Sequence, residues 1–172
     1  DFDMYMIKLN KKGKWQWYNA FGGGDDDTAN DVIQMNDGGY LLVGSTNSFG
    51  LTRDDVLIVK TDKDGKRLWQ RNYGGNYADE AYAIARSPDG GFVIAGRTES
   101  FNRRNGFDLY LFKIDAYGKL IWQRTHGGKS DDAGYDIITT KDGYLIVGEK
   151  KSDLSRDSNV WVLKVDFNGK LR

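Results

Sequence analysis

The stretch DVLIVKTDKDGKRLWQRNYGGNYADEAYAIARSPDGGFVIAGRTES, residues 55–100, decides the fold. Residues 56–61 form an apolar run whose first charge is Lys60. A run without clean alternation fits a strand buried on both faces. Asp62-Lys63-Asp64-Gly65 is a turn, with a glycine free to take positive φ. Residues 67–73 set Leu68, Trp69 and Tyr73 among polar neighbours, as at a sheet edge. Residues 80–86 carry Ala81, Ala83, Ile84 and Ala85, small side chains suited to a crowded position. Pro88-Asp89-Gly90-Gly91 signals a tight hairpin, and residues 92–96 form a fourth strand. A polar loop, 98–107, follows, and nowhere does helical periodicity meet capping signals.

The same order of residues recurs along the chain. Trp17, Trp69 and Trp122 stand 52 and 53 residues apart, each four residues after a glycine (Gly13, Gly65, Gly118). Each is followed by a Gly-Gly pair, at Gly22-Gly23, Gly74-Gly75 and Gly127-Gly128, and then by Asp27, Asp79 or Asp132. The hairpin returns at Asp37-Gly38-Gly39, Asp89-Gly90-Gly91 and Asp142-Gly143, and glycines return at Gly44, Gly96 and Gly148. The segments DMYMIKLNKKGK, DVLIVKTDKDGK, DLYLFKIDAYGK and NVWVLKVDFNGK begin at Asp3, Asp55, Asp108 and Asn159. Units of about 50 residues with four strands match one blade of a β-propeller, in which neighbouring sheets bury each other's apolar faces. The expected fold is therefore all-β: a propeller of four-stranded antiparallel blades, with about three repeats of ~52 residues plus a partial one. The units run approximately 3–54, 55–107 and 108–158, with a partial unit at 159–172.

Composition narrows the function classes. Lys plus Arg and Asp plus Glu both total 25, so no bulk positive charge is available for nucleic acid. The absence of cysteine excludes disulfides, cysteine–zinc sites, iron–sulfur clusters and cysteine nucleophiles. No apolar run approaches the ~18 residues of a membrane span. The 39% hydrophobic content is enough for a packed core.

At residues 115–122, D-A-Y-G-K-L-I-W resembles the tryptophan-docking motif of quinoprotein-type propellers, A-x-D-x-x-T-G-x-x-x-W. The G-G…D-x-A…D-G-G-Y segments that follow resemble the propeller repeats of bacterial and archaeal surface proteins and lipoproteins. Lys12, Asp64 and Tyr117 depart from the docking motif, standing where it has Thr. The resemblance implies that Trp17, Trp69 and Trp122 pack between blades. It also implies that D-x-φ-φ-φ-K is the third strand of a blade, the Trp segment the outer fourth, and G-G…D the entry to the innermost. The chain then holds two full blades with an incomplete one on each side, an incomplete ring. It is read as a processed or excised piece, with a further Trp due just past Arg172 and self-association expected to complete a ring. An extracellular or cell-surface setting is implied by the resemblance alone.

Candidate chemistry is sparse. His126 is the single histidine and replaces Phe21 and Tyr73 in register, as an aromatic-sized filler. Asp25, Asp26 and Asp27 are a weak Ca²⁺ candidate, since Ca²⁺ favours carboxylate oxygens, but their spacing does not match an EF-hand. Asp27, Asp79 and Asp132 recur, which points to hydrogen-bonding of loop amides rather than to a ligand. Asp62, Asp115 and Asp166, with Asn10 in the same place, read as turn residues. Function is expected where the repeats differ, in the loops 46–54, 98–107 and 150–158. Their Phe49, Arg53, Phe101, Arg103, Arg104 and Arg156 are the candidate ligand-binding residues, suited to a protein or glycan partner. The expectation is a non-catalytic binding or display module without catalytic residues, cofactor or resident metal. The alternatives are a quinoprotein-like or glycan-active propeller enzyme and a sugar-binding lectin.

Overall fold

A computed structural model describes residues 2–49, 53–101, 106–151 and 157–172. Among them regular structure is β throughout. Among the described residues no helix is long and apolar enough to cross a membrane. The strands β1 (Met4–Leu9) and β2 (Trp15–Phe21) form a two-stranded ribbon. A four-stranded antiparallel sheet follows, from β3 (Asp27–Gln34), β4 (Tyr40–Thr46), β5 (Asp55–Thr61) and β6 (Arg67–Tyr73). A second such sheet contains β7 (Asp79–Arg86), β8 (Phe92–Thr98), β9 (Asp108–Ile114) and β10 (Leu120–His126). The last sheet is three-stranded: β11 (Asp132–Thr140), β12 (Gly143–Lys151) and β13 (Ser158–Val165).

These sheets stack face to face as propeller blades, with β3, β7 and β11 innermost. The apolar run of β5 is explained by that stacking. Val56, Leu57, Ile58 and Val59 are all fully buried, although they point alternately to opposite faces. Leu42, Leu57 and Val59 pack against Met4, Met6 and Phe21 of the ribbon. From the other face, Leu41, Val43, Val56 and Ile58 meet Ile94, Tyr110 and Phe112 of the next sheet. That sheet in turn places Val93, Ala95, Leu109 and Leu111 against Ile137, Ile146 and Leu163.

A second set of contacts ties the outer strands. A Cβ on Gly65 would lie 2.8 Å from Trp17, one on Gly118 2.9 Å from Trp69, and one on Gly169 2.8 Å from Trp122. Each tryptophan thus lies on the backbone of the following sheet's turn, where φ is +74 to +82° and glycine is the natural residue. Tyr73 donates its hydroxyl to the Gly118 carbonyl at 2.6 Å. His126 makes the corresponding contact, Nε2 to the Gly169 carbonyl at 3.0 Å, so this nitrogen carries the proton. Burial pushes the His126 pKa down, which keeps the ring neutral. The histidine therefore does more than fill aromatic-sized space: it joins two sheets. The turns themselves are closed by Asn10, Asp62, Asp115 and Asp166, each accepting two backbone N–H groups.

Candidate functional site

The repeated aspartates sit at the end of the sheets where the Gly-Gly loops enter the innermost strands. Asp27, Asp79 and Asp132 are all at most 1% exposed. Asp27 Oδ2 accepts from Gly23 N (2.8 Å) and Ser48 Oγ (2.9 Å). Asp79 Oδ2 accepts from Gly75 N (2.8 Å) and Ser100 Oγ (2.5 Å). Asp132 Oδ2 accepts from Gly128 N at 2.6 Å. The same bond in three sheets marks a device that holds the loop. A second carboxylate stands beside each: a Cβ on Gly74 would meet Asp55 Oδ1 at 2.4 Å and Asp79 Oδ2 at 2.6 Å. Gly22 and Gly127 are hemmed in the same way by Asp3 with Asp27 and by Asp108 with Asp132. Burial, and then the charge of Asp79, pushes the Asp55 carboxyl up to about 6.

Two residues further on, each innermost strand breaks register with its partner: between Ala29 and Asp31, Ala81 and Ala83, and Gly134 and Asp136. The inserted residue is Asn30, Tyr82 or Tyr135. A bulge of this kind re-aims a side chain and brings the backbone close to the neighbouring strand. That closeness accounts for Gly44, Gly96 and Gly148, where a Cβ would lie within 1.9 Å of the carbonyl oxygen of Thr28, Glu80 or Ala133.

The bulges bring together a cluster that does not repeat. Tyr82 and Tyr135 stand 5.4 Å apart between ring centroids, tilted by 49°. Glu80 accepts from Tyr82 Oη at 2.5 Å and from Arg97 Nη2 at 2.6 Å. The Arg97 guanidinium lies 4.1 Å from the Phe107 ring centroid and 5.8 Å from that of Tyr82. Burial, followed by its bond to Glu80, raises the Tyr82 pKa. Tyr135 is raised too, by burial and then by its hydrogen bond to Glu149. Burial by itself would lower the Arg97 pKa, but the bond and charge of Glu80 outweigh it and the net direction is up. The raised phenols of Tyr82 and Tyr135 stay protonated at neutral pH, and beside them the cluster presents the Arg97–Glu80 pair and the Glu149 side chain. Tyr135 remains 46% exposed, so an aromatic face and these polar groups are open to a ligand. Such a set suits a hydroxyl-rich molecule: rings stack on its C–H faces, while carboxylates and the guanidinium take its hydroxyls.

The residues chosen from the sequence lie elsewhere. Phe49, at φ 63°, lays its ring over Gly23, and Phe101 lies over Gly75 and against Tyr110 at 5.3 Å. Both act as covers on the Gly-Gly loops. Arg53 pairs with Glu99 at 3.2 Å and lies over the Tyr77 ring at 6.0 Å. Arg103, Arg104 and Arg156 fall outside the described residues. Asp25 and Asp26 are exposed, and Asp26 Oδ1 accepts from Phe2 N at 2.9 Å, while Asp27 is turned into its clasp. Among the described residues no three acidic or histidine side chains are grouped to hold a metal ion. At the opposite end of the sheets, Met35, Asp37, Lys60, Arg86, Phe92 and Tyr117 help line an open cavity of about 510 Å³. Its charges are engaged: Lys60 pairs with Asp37 at 3.1 Å, and Arg86 bonds to the Gln34 carbonyl.

No family model matches this chain. The regulatory protein FlaEY of Caulobacter vibrioides is 24% identical over 174 residues, a match that covers 87% of this chain and 18% of that protein. The chain thus spans less than a fifth of this curated relative. Among solved structures, β-1,2-mannobiose phosphorylase from Listeria innocua, in complex with β-1,2-mannobiose, superposes with a TM-score of 0.51. It is 19% identical, over 82% of this chain and 41% of that one. This likeness is one of fold and agrees with the all-β repeat described above.

Proposed function

We propose that this chain is a non-catalytic, glycan-binding part of a propeller, and that the sugar is held on the innermost strands by Tyr82, Tyr135, Glu80, Arg97 and Glu149. One observation carries this reading. The same bulge recurs in β3, β7 and β11, yet only β7 and β11 fill it with tyrosines, and these are flanked by carboxylates and an arginine. The rigid stack fixes the two rings, and the Arg97–Glu80 pair sets the donors and acceptors around them. The fold likeness to a protein solved with β-1,2-mannobiose makes β-mannosides the first sugars to try. The resemblance to surface-protein propellers supports an extracellular or cell-surface setting.

Calorimetric titration with β-1,2-mannobiose and a panel of other oligosaccharides tests the proposal. Binding is expected for the wild type, with a loss of roughly tenfold or more for Tyr82→Ala or Tyr135→Ala. Binding that survives both substitutions together would refute the assignment. Consumption of the disaccharide, with or without added phosphate, would instead make the chain part of an enzyme.

A further inference from the structure

Two joints between sheets are built on the same register, yet away from the Asp clasps one is closed and the other open. Where β11–β13 stacks on β7–β10, Tyr144 donates its hydroxyl to Ser87 Oγ at 2.7 Å. Phe167, in the turn after β13, packs edge-on against Tyr144 with ring centroids 5.4 Å apart. Thr139 closes the corner by donating to the Arg86 carbonyl.

Where β7–β10 stacks on β3–β6, the same positions hold other residues. Phe92 stands for Tyr144 and Met35 for Ser87, so the hydroxyl pair is absent. Ala116 stands for Phe167, so the covering ring is absent as well. The hairpin is one residue longer, Asp89-Gly90-Gly91 against Asp142-Gly143. These changes coincide with the open cavity of about 510 Å³, within the range of roughly 300–1,000 Å³ for small-molecule sites. Its walls come from the two four-stranded sheets and their turns.

Charge in the cavity is not balanced. Lys60 and Asp37 pair at 3.1 Å, and Lys113–Asp89 and Lys164–Asp142 repeat that pair at 2.6 and 3.0 Å, so it belongs to the scaffold. Arg86 does not repeat: the next sheet has Thr139 in its place, opposite Tyr144 as Arg86 is opposite Phe92. Its guanidinium lies 6.0 Å from the Phe92 ring centroid. It donates one N–H to the Gln34 carbonyl, a neutral partner that leaves other donors of the fork available. Among the described residues no carboxylate forms an ion pair with it. Beside this charge stand Met35, Phe92 and the Tyr117 ring, which is 79% exposed.

We propose that this cavity binds a small, single-ring aromatic carboxylate. Its ring takes the place that Phe167 fills in the neighbouring joint, and its carboxylate pairs with the Arg86 guanidinium. The site lies at the other end of the sheets from the Asp clasps and does not involve the tyrosine bulges.

Calorimetric titration of the whole chain with 3-phenylpropionate tests this proposal. Saturable binding is expected, with Kd on the order of 1 mM for so small a ligand. The uncharged amide of the same probe is expected to bind roughly tenfold more weakly, and Arg86→Gln to weaken the acid by a similar factor. Ala116→Phe supplies the missing ring from the chain itself and is expected to abolish binding. Arg86 is exposed, so its variant keeps the proposal falsifiable should Ala116→Phe fail to fold. No saturation by about 20 mM, equal binding of acid and amide, or binding undiminished by either substitution would each overturn it. No readout involves a sugar, so this site and the proposed function stand or fall separately.

Discussion

Two regions of each sheet follow opposite rules. At the turn between the third and fourth strands, sheet after sheet does the same thing: a glycine at positive φ receives the tryptophan of its predecessor. At the bulge of the innermost strand, the backbone is equally constant but the side chain changes, from Asn30 to Tyr82 to Tyr135. Repetition of a side chain marks what every sheet needs in order to stack. At the bulge the means of contact changes: Asn30 donates to the Ala81 carbonyl of the next sheet at 2.7 Å, whereas Tyr82 and Tyr135 set two rings against each other and leave polar groups beside them. Sites are thus grafted on the scaffold where the scaffold no longer dictates the residue.

That contrast is open to direct attack. Phe112 is buried between the two four-stranded sheets beside Tyr73 and Tyr110. Phe112→Ala should lower stability by about 3–5 kcal/mol, measured by denaturant unfolding. A cost near zero would mean that sheet stacking does not hold the fold.

The glycine turns give a finer comparison. Ala at Gly13 or at Gly118 adopts a disfavoured φ at a cost of roughly 1–2 kcal/mol. Only at Gly118 does the new methyl also meet Trp69, at 2.9 Å. Gly118→Ala should therefore be the more destabilising of the two, and equal melting points would remove the tryptophan contact from the account.

The acid pair sets a pH dependence. Asp55, pushed up to about 6 by burial and then by Asp79, binds its proton more tightly folded than unfolded. The folded state then holds more protons between about pH 4 and 6, so this group's contribution to stability falls as pH rises through that window. Asp55→Asn should remove that part of the slope and stabilise the protein at pH 7 by on the order of 1–2 kcal/mol. The last unit already carries Asn159 at this position. A steeper slope in the variant would reverse the assignment.

The smallest effect belongs to the divergent region. Tyr82→Phe removes one hydroxyl, bonded to the mostly buried Glu80, and stability should fall by about 1 kcal/mol. The same variant should still weaken sugar binding, because Glu80 loses the partner that orients it. A large stability loss without a binding change would make Tyr82 a scaffold residue.

Much of the fold was legible because its determinants repeat. The recurrence of Trp17, Trp69 and Trp122 gave the unit, and the apolar run before Lys60 gave a strand covered on both faces. Gly44, Gly96 and Gly148 were visible as a pattern, but their cause was not: they answer to a bulge that only strand pairing reveals. The axial cluster was hidden for a related reason. Glu80, Arg97 and Tyr82 belong to one unit and Tyr135 and Glu149 to the next, and no local spacing connects them. Length and charge drew attention to the variable loops, yet Phe49 and Phe101 there serve as covers. The available signal lay within the strands, in the register positions Thr28/Glu80/Ala133, Asn30/Tyr82/Tyr135 and Ser45/Arg97/Glu149, which change while their neighbours repeat.

The central claim is that divergent positions on the innermost strands, rather than the repeated ones or the loops, meet the ligand. Amide chemical-shift mapping by NMR during titration with β-1,2-mannobiose tests it most directly. The account predicts shifts centred on Glu80, Tyr82, Arg97, Tyr135 and Glu149, with the Asp27 and Asp79 clasps unmoved. Shifts centred on the loops around Phe49, Arg53 and Phe101, with the tyrosine bulges silent, would contradict it.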